Sequence, residues 1–183
     1  MQSNIVHPEL KFKTPAVEEL AAKVEAKLKQ RFGADFLSSK IDYDFPVFVV
    51  KKEAIIDVLE YLYYDSELEF TFLTTMCAAH HPHNEGAEFE MMYQLHNMPE
   101  NWRIRIKTTL PKDDLKIRTA TSLFRTANWM ERQEFDFFGV EFVGHPNLKR
   151  ILNMDEMNYF PMRKEYPVED AQREDKDNSF FGR

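Results

Sequence analysis

Residues 131–152 read ERQEFDFFGVEFVGHPNLKRIL, and this stretch has a composition that ordinary folding demands explain least. Ala127, Met130, Glu131, Phe135 and Phe138 fall on neighbouring positions of a helix, so a carboxylate shares a stripe with aromatic rings. An acid in that setting needs a donor, and Glu131 is expected to accept hydrogen bonds from an arginine or from backbone amides. Gly139 suits a left-handed cap that ends the helix, and Val140 to Val143 reads as a short extended piece. Gly144-His145-Pro146 is a rigid turn. Leu148, Ile151 and Leu152 with Lys149 and Arg150 then form an apolar and basic segment suited to pressing on a surface while offering cations beside it.

Working outward, the upstream chain mixes both periodicities. Thr14-Pro15 reads as an N-cap followed by proline at the first helical position, and Val17, Leu20, Ala21, Val24, Leu28 and Phe32 recur at helical spacing until Gly33. Phe36 to Ile41 and Pro46 to Val50 are strands joined at Asp42-Tyr43-Asp44, and a second helix from about Glu53 carries Ile55, Val58, Leu59 and Leu62 on one face. Leu68 to Met76 reads as a strand with neighbours on both sides, hence central. Phe89, Met91, Tyr93 and Leu95 alternate with polar residues, as do Trp102, Ile104 and Ile106, which predicts an antiparallel hairpin with Tyr93 opposite Ile104 and Glu90 opposite Lys107. A short extended piece at Lys116 to Thr119 precedes the helix that ends at Gly139. The expected architecture is α+β: a two-layer mixed sheet of four to five strands with helices packed on it, forming one domain over residues 1–152. Residues 153–183 change character, with many charges and no steady apolar period, and are expected to be an extended tail lying on a partner.

The 183 residues suffice for one core, and a hydrophobic fraction of 43% with 16 Phe calls for a packed interior. A net charge of -7 argues against a general nucleic-acid binder. A single cysteine, Cys77, forms no internal disulfide and builds no thiolate cluster by itself, which fits a reducing compartment. The N-terminal MQSNIVHPELKFKT lacks a signal-like apolar core and reads as unprocessed and cytoplasmic; no run approaches the roughly 20 apolar residues of a membrane span. Phosphate-loop, dinucleotide, GxSxG and HExxH motifs are missing from the sequence. His80, His81 and His83 sit around Pro82 in a loop with no fixed spacing, so a metal site is not expected there. His145 lacks a partner nucleophile or orienting acid nearby in sequence and reads as turn structure. Arg132 and Asp136, four apart on the helix, suit a surface ion pair. Lys149-Arg150 and Arg163-Lys164, beside Leu148, Ile151, Leu152 and Pro161-Met162, have the mixture of apolar anchor and cation found at protein interfaces.

The stretch resembles the signature of the 30-kDa-type subunit of respiratory complex I, the proton-pumping NADH:quinone oxidoreductase. The likeness begins at Ala127-Asn128-Trp129 and takes in Glu131, Arg132, Asp136, Phe138, Gly139, Gly144, His145, Pro146 and the run Leu148 to Leu152 with Arg150 and Ile151. It resumes over Pro161-Met162-Arg163-Lys164-Glu165-Tyr166-Pro167. Upstream the match is looser, carried by the order of elements and by Phe72 to Met76. Gln133 departs at a position usually acidic, and Cys77 to His80 depart where the family commonly has an aspartate after its strand. The resemblance implies a protein that binds no cofactor, metal or substrate itself. It implies docking in the peripheral arm against the 49-kDa-type subunit, on the cytoplasmic side of the bacterial inner membrane, within a complex that uses NADH, FMN, iron-sulfur clusters and quinone. The rival readings are the equivalent subunit of a membrane-bound hydrogenase-type complex, and a small soluble acid/base enzyme using His145 with Glu131 or Asp136.

Overall fold

Alternation builds the centre of the molecule. In the computed structural model, which describes residues 16–166, the strands Phe89–Asn97 (β4) and Trp102–Leu110 (β5) bury every second side chain, and four residues turn the chain between them. They form the middle of a five-stranded mixed sheet in the order β1-β2-β5-β4-β3, where β1 is Phe36–Asp42, β2 is Phe45–Val50 and β3 is Phe72–His80. All neighbours are antiparallel except β2 and β5, which run parallel. Helix α1 (Val17–Phe32) follows residues that lie outside the described part, Thr14 and Pro15 among them, and helix α2 (Ile55–Tyr64) crosses from β2 towards β3. Leu20, Val24 and Leu28 of α1 and Ile55, Val58, Leu59 and Leu62 of α2 meet Phe48, Ile106, Tyr93 and Phe89 in one hydrophobic core. Each fully buried aliphatic or aromatic side chain there contributes roughly 1.5–3 kcal/mol.

Two expectations need correction. The sheet does not place Leu68–Met76 at its centre, because β3 is an edge strand. The apolar run divides: Leu68 and Phe70 are fully buried in the connection under the end of α2, where the Phe70 amide donates to Leu62 O at 2.9 Å, and the strand proper begins at Phe72. What lies against its second side is a helix rather than a strand. The hairpin register also differs by two residues, with Tyr93 opposite Ile106 and Glu90 opposite Thr109. His96 and Asn97 belong to the strand, and Asn97 uses its side chain to accept from the Glu100 amide and to donate to Leu68 O, which fixes a turn shorter than the sequence suggests. Lys107 still reaches Glu90, diagonally, at 2.7 Å.

After β5, Lys116–Arg118 (β6) pairs in parallel with Glu141–Val143 (β7), and helix α3 (Ala127–Phe138) spans the connection between them. α3 lies along β3. Gly139 ends it at φ 77°, the left-handed cap expected from sequence. Residues 153–166 have no regular structure, yet no break in packing occurs at 152: the amide of Met162 donates to Phe137 O and the guanidinium of Arg163 to Phe138 O. Residues 167–183, including Pro167, lie outside the described part.

Candidate docking site

α3 carries three acids, Glu131, Glu134 and Asp136, that are at most 1% exposed. Their placement follows from the helical period, which sets the first two on the stripe that faces the sheet. Glu131 accepts from the Ala120 amide at 2.6 Å and the Thr119 hydroxyl at 2.5 Å, so its expected donor is a backbone amide, with a hydroxyl in place of an arginine. Glu134 accepts from the Ala78 amide at 2.7 Å, on the side of β3 that no strand among the described residues covers. Burial pushes both carboxyls up to about 7, against the lowering effect of these hydrogen bonds. The buried Tyr93 hydroxyl, which has no hydrogen-bond partner among the described residues, is pushed up as well, first by burial and then by the two acids.

Asp136 has the opposite balance. Burial by itself would raise it, but the amides of Asn153 and Leu152, the Asn153 side chain and Arg150 outweigh that effect and hold it well below the usual carboxylate range. Its Oδ2 accepts the amides of Ile151, Leu152 and Asn153 at 3.1, 2.8 and 3.0 Å, and its Oδ1 accepts Asn153 Nδ2 and Arg150 Nη1 at 3.0 and 2.7 Å. Arg150 Nη2 donates in turn to the carbonyls of Met157 and Tyr159. Phe160 is flanked by both guanidinium groups, with Arg150 at 5.1 Å and Arg163 at 4.6 Å from its ring centre. A Cβ on Gly139 would come within 2.6 Å of this ring and 2.7 Å of Arg163, so glycine serves both the left-handed cap and the close approach of the 160–163 turn.

The structure therefore revises the expected roles of the basic residues. Asp136 pairs with Arg150 rather than with Arg132, which turns instead to the carbonyls of Lys149 and Arg150 and stacks over Trp129. The side chain of Arg150 is only 9% exposed, because a buried carboxylate takes its charge. Arg163 is similarly committed to Phe138 O, so Arg150→Glu or Arg163→Glu acts on the fold and does not probe a surface alone. His145 has both ring nitrogens engaged with backbone: Nδ1 accepts from the Asn147 amide, leaving Nε2 to donate to Asn128 O at 3.1 Å. That arrangement suits the turn reading and leaves neither nitrogen aimed at Glu131 or Asp136. Leu148 packs against the core, Phe138 is buried in it, and Lys164, Gly144 and Pro146 are exposed. Pro161 and Ile151 are half-buried.

Sequence reasoning missed Glu134, Asn153 and Phe160, and it read His80 as part of a loop whereas it is the last residue of β3. Glu134 had a legible signal, since it stands three residues after Glu131 on the same stripe. Nothing local marked the others, whose partners are distant in sequence.

Several side chains on the segments that this fastening joins are apolar and exposed: Trp129 on α3 and Leu152, Met154 and Met162 after β7, between 52% and 70% exposed, with Tyr159 and Tyr166 at 39%. An α+β domain that spends Asp136 and Arg150 on each other, and leaves apolar side chains exposed on the segments they join, has the make-up of a protein held by others. Residues 48–172 match the family described as respiratory-chain NADH dehydrogenase, 30 Kd subunit, and the chain belongs to that family. The C-type NADH-quinone oxidoreductase subunit of Citrifermentans bemidjiense is 41% identical over 149 residues, which is 81% of this chain and 90% of that relative. Its counterpart in Trichlorobacter lovleyi is 38% identical over 148 residues, with the same coverage of 81% and 90%. Among solved structures, a trypsin-resistant fragment of Nqo5 shares the fold with TM-score 0.57 and 22% identity, covering 72% of this chain and 98% of the fragment. A chain of the membrane-bound sulfane sulfur reductase, an archaeal respiratory membrane complex, shares it with TM-score 0.67 and 24% identity, covering 82% and 85%. The chain is thus a component of a multi-subunit respiratory oxidoreductase. Among the described residues no helix is long and apolar enough to cross a membrane.

Proposed function

We propose that this chain is a structural subunit of the peripheral arm of an NADH:quinone oxidoreductase, docked on the 49-kDa-type subunit. NADH, FMN, iron-sulfur clusters and quinone belong to the complex, and this chain holds none of them. It serves the reaction by keeping its neighbour's backbone in the geometry that quinone reduction requires. The chain reaches the membrane only through its partners, on the cytoplasmic side. The observation that carries the reading is the exposure of Trp129, Leu152 and Met154 on the segments that the Asp136–Arg150 fastening joins. The interface is therefore apolar at its centre, with Arg132, Lys149 and Lys164 at the rim. Sequence relatives favour the NADH-linked complex over the hydrogenase-type one. The chain also matches a quarter of the length of an NADH-quinone oxidoreductase protein of Proteus mirabilis, and the larger remainder of that relative supports a close large neighbour.

The test uses Leu152→Asp combined with Met154→Asp, at positions 63% and 70% exposed, so that the fold is left alone. The double variant is expected to melt like the parent while failing to co-purify with the large partner. Undiminished co-purification removes this interface.

A further inference from the structure

The segment 157–166 is tied down by groups of two kinds. Arg150 and Arg163 donate to its carbonyls or from it to the end of α3 through guanidinium groups. The third anchor is different. The amide of Lys164 donates to Nδ1 of His80 at 3.0 Å, and His80, the last residue of β3, is 6% exposed and stacked on Phe89 with ring centres 4.4 Å apart. Nδ1 accepts only while it carries no proton; an imidazolium would set an N–H against an N–H.

We propose that His80 is a proton-operated latch on this segment, in which the neutral ring holds the Lys164 amide and protonation releases it, while the two arginine anchors and the Lys112–Glu165 pair stay closed. The surroundings make the protonated ring unwelcome. Its flat face lies on Phe89, and Arg163, which sits over the other part of that phenyl ring at 5.3 Å, is a like charge close by. Lys112 after β5 and the adjacent His81 add to the repulsion, whereas Glu165 on the segment opposes it and is itself bound by Lys112 at 2.9 Å. Glu88, just before β4, is occupied by the amides of Gly86 and Lys112. Burial is the largest influence and, with the cations, holds His80 below the ordinary histidine range.

The sign follows from that depression. The latched ring is neutral where a released one is already charged, so the latch is complete above about pH 6.5, the ordinary histidine value, and weakens as pH falls below it. One proton is taken up on release, so the opening equilibrium should rise about tenfold per pH unit below that point, until the latched ring titrates too. This behaviour belongs to the chain's own contacts and does not rest on the docking reading.

Hydrogen exchange of the full chain tests it, reading the peptide that spans 160–166 and scaling labelling times for the pH dependence of chemical exchange. Between pH 7.5 and pH 5, protection at Lys164 should fall several-fold in the wild type. His80→Asn keeps an acceptor near the Nδ1 position that does not titrate, and should leave protection independent of pH. His80→Phe keeps the stack without the acceptor, and should be unprotected at both values. Equal protection of the wild-type peptide at both pH values overturns the latch, and so does an unchanged pH dependence in His80→Asn.

Discussion

The two edges of the central sheet meet opposite fates. β1 ends the sheet with its outer side unpaired by any described element, and it is blunted in the usual ways: a register shift between Phe36 and Ser38, and a Lys40–Asp42 ion pair at 3.2 Å. Leu37 and Ile41 remain about half exposed there. β3, at the other edge, is sealed by groups that arrive from far along the chain. Glu134 accepts the amide of Ala78, and His80 at the strand's end accepts the amide of Lys164. One edge is protected by what the strand lacks, the other by the residues that follow Ala127. The acids of α3 are thus fasteners, and Asp136 holds the segment on which Leu152 and Met154 are exposed.

The strongest way to break that contrast is Asp136→Ala. It leaves Arg150 and the amides of residues 151–153 without their acceptor in a site that is fully buried, and removing one partner of such a pair costs about 3–5 kcal/mol. Urea unfolding should show the loss, and exchange protection over 150–163 should collapse further than that of β4 or β5. Acid should mimic it: because Asp136 is held below the ordinary carboxylate value, its contribution is present at neutral pH and is lost as pH falls below about 4. A variant as stable as the parent would show that the knot is ornamental.

Glu134 should give a smaller effect of opposite sign. Its carboxyl stays protonated up to about 7 in the folded chain but ionises near 4.5 when unfolded, so stability falls as pH rises from about 4.5 to 7 and is level above that. The interval corresponds to a change on the order of 3 kcal/mol. Glu134→Gln keeps an acceptor for the Ala78 amide and cannot ionise, so its melting temperature should exceed the parent's at pH 8 and approach it at pH 5. Glu131, raised to about 7 in the same way, continues to titrate in the variant and sets the residual slope. Parallel pH profiles for the two proteins would mean that Glu134 lies closer to solvent than the sealed edge requires.

Much of the sheet side was legible from local pattern, because alternation at Phe89 to Leu95 and at Ile104 and Ile106 is a property of neighbours in sequence. The hairpin register slipped because His96 and Asn97 look like loop residues, and only the distant Leu68 carbonyl explains why Asn97 ends a strand. β3 was misplaced for a related reason: an apolar run announces burial on two sides but does not say whether a strand or a helix provides the second. The cap at Gly139 was legible, whereas its contact with Phe160 was not, since the contact depends on a turn twenty residues later. At the candidate site, the pairing of Asp136 was not legible. Arg132 is four positions from Asp136, the spacing of an exposed helical pair, but a carboxylate at 0% exposure demands several donors, and only the Arg150–Asn153 loop supplies them.

The open edge offers the mildest test and sharpens the comparison from the other side. Ile41 on β1 is 46% exposed and lies opposite Pro46 at the end of the β1–β2 ladder, where the side chain has one strand neighbour and water. Ile41→Lys exchanges a β-branched residue for one whose aliphatic stem covers the same surface while its ammonium stays solvated. The edge also becomes less inviting to a further strand. Stability should shift by no more than about 0.5 kcal/mol, the usual range for a surface substitution away from special features. Urea midpoints with unchanged slope would register that. A loss of several times that size would mean that the outer side of β1 is covered in the chain itself, and the two edges would then differ only in which segment closes them.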